Sequence, residues 1–203
     1  MPDGLCGSSL ASMPGDAARR GGFPPIWSFI VADCVGFGVF FAIFMSERAG
    51  QTELFARAAR QLDAPLGLVN TLVLITASWF VALATEAGKV GDLRAVRRWL
   101  VVSIPVASAF AVIKIAEYVF KVGQGITPLS NDFFMFYYVL TGVHFLHYLV
   151  GMVVLVTLTA MVFRVDAIEG RTWRWLESGA IYWHVVDLLW IFLFPMLYLL
   201  GGH

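Results

Sequence analysis

Five stretches of this chain are each long and apolar enough to cross a lipid bilayer as a helix. A bilayer core of about 30 Å takes roughly 20 helical residues. The stretches run over about 25–46, 66–85, 99–120, 133–163 and 178–201. The fourth exceeds what a perpendicular crossing needs, so it should tilt or protrude. The polar segments between them are short and read as connections. Composition agrees: apolar residues make up 59% of the 203 and charged residues only 14%, against roughly 25% in soluble domains. A soluble domain of this size has no way to hide so much apolar surface. That excludes a disordered chain, a nucleic-acid binder and a soluble enzyme, and predicts an all-α, polytopic membrane helix bundle. Residues 1–23 form the expected flexible N-terminal tail, and 24–203 a single five-helix transmembrane domain.

Fourteen Lys and Arg balance fourteen Asp and Glu, so net charge selects no acidic or basic partner. Cys6 and Cys34 suggest no disulfide framework and should stay unpaired. The tail lacks the apolar core of a secretory signal, so the first span should be retained as a helix. Basic flanks predict orientation. Arg19, Arg20, Lys89, Arg94, Arg97, Arg98, Arg164, Arg171 and Arg174 fall on one side, against Arg48, Arg57, Arg60 and Lys121 on the other. Nine against four places the N-terminus in the cytoplasm and the C-terminus outside.

Charge at membrane depth costs at least about 2.5–3.5 kcal/mol per group on insertion scales, so each such residue needs a reason. Lys114 and Glu117 stand three apart on one helical face and should form an ion pair. The pair reads as structural, near the outer interface, with a functional contact for Glu117 as the alternative. His144 and His147 share a face of the fourth span, and His184 and Asp187 share one of the fifth. Three histidines and two acids resemble the ingredients of a bundle metal site. Depth argues against convergence: at 1.5 Å per residue, Glu117 and His184 lie about 15 Å or more apart in a core of about 30 Å. Interhelical hydrogen bonding is the expected role of the histidines. Asp33 is the most isolated charge, with no basic residue within a turn, and must face protein or water or give up its charge. It is equally a functional and a structural candidate.

Gly36, Gly38, Gly142 and Gly151 sit at spacings that let helices approach closely. Trp27, Trp99, Trp173, Trp175 and Tyr198 lie at span ends, as an aromatic belt does. Pro105 and Pro195 fall inside spans and should bend them.

The fifth span carries Tyr182-Trp183-His184-x-Val186-Asp187-x-x-Trp190, which resembles the last helix of cytochrome c oxidase subunit III. Leu140-Thr-Gly-Val-His-Phe-Leu-His147, followed by Gly151, is similar to that family's TGxHxxHxxxG helix. Glu117-Tyr118 resembles its E-Y pair and Asn70-Thr71 its N-T start. Trp27 to Asp33 resembles a helix where the family places a carboxylate, usually Glu. The likeness covers about residues 24–201 in matching order and looks like a five-helix form lacking the first two of seven helices. In the family those two helices shape a phospholipid cleft.

The resemblance implies a non-catalytic subunit of a respiratory haem-copper oxidoreductase in the bacterial inner membrane, binding no cofactor itself. The partner catalytic subunit would hold haem, with copper or iron. The subunit would support that partner's stability and proton uptake. The short length leans toward the subunit-III-like accessory protein of bacterial nitric oxide reductase over a terminal oxidase subunit. Two other classes compete: a proton conductor using Asp33, Glu117 and Asp187, and a metalloenzyme using His144, His147 and His184.

Overall fold

The computed structural model describes residues 25–199; the N-terminal tail, Cys6 and the last residues of the fifth apolar stretch lie outside them. Six α-helices follow one another: α1 Pro25–Gly50, α2 Thr52–Ala59, α3 Ala64–Lys89, α4 Leu93–Gly123, α5 Asp132–Phe163 and α6 Gly170–Phe194. A π-helical turn, Pro195–Leu199, continues α6. No strand occurs among the described residues. All except α2 are long and apolar enough to span a membrane.

Side-chain caps set the helix starts. Asp63 accepts from the Leu66 amide at 2.9 Å, Asp92 from Ala95 at 3.0 Å and Asn131 from Phe134 at 2.9 Å. Each meets an amide that the first helical turn leaves unpaired. Gly91, at φ 74°, makes the tight turn from α3 into α4, a left-handed conformation that side chains disfavour.

α3 and α4 pack along their length, α6 lies against α3 and α5, and α5 also packs on α4. α1 is held more loosely. Its Phe37 meets the His147 ring edge-on, and its Phe44 sits among Phe55, Phe133 and Phe136. Trp27, Val31, Val35 and Val39 remain exposed along it.

Four expectations need correction. The segment after α1 is more than a connection: α2 is amphipathic and buries Phe55, Ala58 and Ala59. A helix this short with one apolar stripe is stabilised by tertiary burial, which a search for 20-residue spans passes over. Gly36, Gly38 and Gly142 bring no helix of this chain close, since a Cβ on any of them meets nothing within 4 Å. The tight contacts are at Gly67, Gly88, Gly151 and Gly179. Tyr198 belongs to no interfacial belt; it is 4% exposed and bonded inside the bundle. Pro195 does fall inside the last span, as its place in the sequence predicts, where the α-helical register of α6 passes into the π turn. The last span also starts earlier than its apolar stretch, with the amphipathic turns of 170–177 included.

Candidate functional site

Polar side chains gather where α4, α5 and α6 meet. Lys114 and Glu117 form the ion pair that their spacing predicts, with Nζ 3.0 Å from Oε2. They are only 1% and 3% exposed. Lys114 also donates to the hydroxyls of Tyr137 at 3.0 Å and Tyr198 at 2.9 Å. All three ammonium protons thus have acceptors. The other oxygen of Glu117 accepts from Tyr137 at 2.8 Å and Tyr198 at 2.7 Å. The rings of Tyr118, Tyr137, Trp190 and Tyr198 surround the ammonium at 4.7–5.5 Å, within cation–π range. Tyr118 donates to Thr141 at 2.5 Å, and Thr141 in turn to the Tyr137 carbonyl at 2.6 Å. Buried ions are tolerated when paired and fully hydrogen-bonded, and this network meets both conditions.

Tyr137 was missed in the sequence, and so was the bonding of Tyr118 and Tyr198 to this network. Tyr137, Thr141, His144 and Tyr148 recur at i, i+4, i+7 and i+11, one buried face of α5, and that periodicity was the available signal. Tyr198 gave only the weaker hint of a hydroxyl in an apolar stretch.

Asp33 and His147 meet across helices, with Oδ1 3.2 Å from Nε2 and the side chains 17% and 20% exposed. Nδ1 of the same ring lies 2.8 Å from the Val143 carbonyl. A carbonyl only accepts, so Nδ1 carries a proton. The contact to Asp33 then needs one further proton, held either on Nε2 or on the carboxyl. The acid isolated in its own helix thus has a partner on α5.

His184 sets Nδ1 2.6 Å from the Ser78 hydroxyl, tying α6 to α3. Asp187, one turn on, is 8% exposed and leaves Oδ1 without a partner. His144 departs from expectation: it is fully buried, and neither ring nitrogen has a hydrogen-bond partner. It packs on Phe110 and Trp190, with ring centroids 5.8 and 5.1 Å away. The six candidates therefore occupy four places rather than one. No three His, Cys, Asp or Glu among the described residues stand close enough to share a metal ion.

The motif residues largely hold one another. Trp190 donates to Thr71 at 3.0 Å, and Tyr182 to the His147 carbonyl at 3.2 Å. A Cβ on Gly151 would come 3.1 Å from the Trp183 ring. The elements that stood apart in sequence are thus the contact points of α3, α5 and α6. Glu117 and Tyr198 also line a groove of about 1160 Å³, bounded by the α2–α3 turn and the second half of α4.

The family described as Cytochrome c oxidase subunit III matches residues 18–202. Among curated relatives, "Cytochrome c oxidase subunit 3" of Thermostichus vulcanus is 28% identical over 172 residues, 85% of this chain and 84% of that protein. "Probable quinol oxidase subunit 3" of Staphylococcus aureus (strain USA300) is 23% identical over 175 residues, 86% of this chain and 87% of the relative.

Proposed function

Since the chain belongs to the cytochrome c oxidase subunit III family, we propose that it is the non-catalytic, multi-pass subunit III of a respiratory terminal oxidase. The observation that carries this reading is the interlocking of the family motifs. Trp190 on Thr71, Tyr182 on His147 and Trp183 on Gly151 are packing and hydrogen-bonding contacts. They build a scaffold. The Lys114–Glu117 charge is neutralised within the chain, which suits anchoring of helices better than exchange with a substrate.

Haem, with copper or iron, belongs in this proposal to the catalytic partner, and Asp33, Glu117, His144, His147, His184 and Asp187 serve packing and subunit contact. Short length had favoured the nitric oxide reductase accessory type. The two oxidase relatives match over 84% and 87% of their own lengths, so they are of similar size and length no longer favours that type. Support of the partner's stability and proton uptake, an N-terminus in the cytoplasm, a bacterial inner-membrane location and contact with phospholipid complete the proposal.

The test compares membranes from cells with and without this chain. Oxygen consumption should decay faster during sustained turnover without it, while nitric oxide reduction is unchanged. Loss confined to nitric oxide reduction would transfer the chain to the other complex.

A further inference from the structure

We propose that the groove between the α2–α3 turn and α4 binds the phosphate of a phospholipid headgroup, with Lys121 as its counter-ion. Lys121 is 5% exposed, and no carboxylate among the described residues lies within ion-pair distance of it. Its ammonium donates to the Gln61 carbonyl, which occupies one of three N–H groups. Glu117, one turn earlier, is already engaged by Lys114, Tyr137 and Tyr198. Two buried lysines on one helix thus differ sharply: Lys114 has a carboxylate and two hydroxyls, while Lys121 has a single neutral acceptor. A buried ammonium without a counter-charge is unfavourable, and an anion in the groove removes that penalty.

The groove has the shape and charge for a lipid. Arg60 also lines it, and Asp63 is on its rim. Asp63 accepts from the Leu66 amide. Val112, Ala116 and Phe120 also line the groove. They form an exposed i, i+4, i+8 row on α4, about 12 Å long at the helical rise. The groove sits at the last turn of a membrane-spanning helix, so its mouth is at headgroup depth and the row runs toward the bilayer core. A phosphodiester accepts from Lys121, and an acyl chain lies along the row. A free anion would make no use of that row. The inference deepens the lipid contact proposed above and rests on placement in a bilayer, not on which complex the chain serves.

The experiment uses the full-length chain in its detergent-purified membrane assembly, stripped of lipid and examined by native mass spectrometry. The probes are dioleoyl phosphatidylglycerol, dioleoylglycerol and inorganic phosphate. One phosphatidylglycerol should be retained per groove and dioleoylglycerol should not. Lys121→Gln, whose amide still donates to Gln61, should weaken retention about tenfold or more, while Lys121→Arg keeps it. Ala116→Trp, on the exposed row, should weaken retention with Lys121 untouched. If Lys121→Gln does not assemble, Ala116→Trp decides alone. Undiminished retention in these two variants overturns the proposal. So does inorganic phosphate displacing the lipid at comparable concentration, which would make this a free-anion site. Neither result bears on whether the assembly contains haem.

Discussion

Lys114 and Glu117 stand one helical turn apart on α4, 3.0 Å from nitrogen to oxygen, and both are shut away from solvent and lipid. The pair owes its tolerance to Tyr137 of α5 and Tyr198 beyond α6, which bond to both charges. Removing one charge leaves the other buried and unmatched, at a cost of about 3–5 kcal/mol. Lys114→Met and Glu117→Gln should each lower the thermal unfolding midpoint of the purified assembly. The double variant should lie closer to wild type than the sum of the singles. Additive losses would show that the two residues act independently.

Asp33 and His147 share at least one proton, because Nδ1 of the ring is committed to the Val143 carbonyl. Asp33→Asn supplies an amide that can donate to Nε2, so assembly should be nearly intact. Asp33→Leu removes the bond and should loosen α1 by about 0.6–2 kcal/mol. Initial turnover of the partner should survive both changes. Turnover and inactivation rates across about pH 6–9 check this. Equal impairment by Asn and Leu with assembly unchanged would assign Asp33 to proton handling.

The sequence disclosed the five spans and the Lys114–Glu117 pair because both are local. A span is a run of apolar residues, and an i, i+3 pair is fixed by helix geometry alone. The partner of Asp33 is 114 residues away and that of Glu117 on the last turn is 81 away. Nothing in either neighbourhood names it. The glycines show the same limit. Their spacing reveals a small residue on a helix face, but which face meets another helix is set by tertiary packing. His144 was read as a hydrogen-bonding residue and is instead enclosed by Phe110 and Trp190.

At Gly179 a Cβ would come 2.5 Å from Leu158 Cδ1 and 2.9 Å from Val154 Cγ1. Gly179→Ala should therefore overpack α5 against α6 and destabilise by about 1–3 kcal/mol. Gly36→Ala meets nothing within 4 Å and should be neutral or slightly stabilising, since Ala favours helix. Thermal unfolding of both variants measures the difference, and equal effects would contradict the packing described for α6.

The nine-to-four basic asymmetry predicts a cytoplasmic N-terminus and an external C-terminus. Reporter fusions at Gly202 and in the loop at Arg171 should report opposite compartments, being separated by one crossing. A shared compartment would remove α6 as a span.

The central claim is that this chain works as part of a haem-bearing membrane complex through contacts within the bilayer. Affinity purification of the tagged full-length chain in mild detergent, read by its visible absorption spectrum, tests it most directly. A haem spectrum should co-purify with the chain, reduced by dithionite and absent from untagged membranes. Recovery of this polypeptide alone, from cells whose oxidase assembles with full activity and lifetime in its absence, would contradict the account.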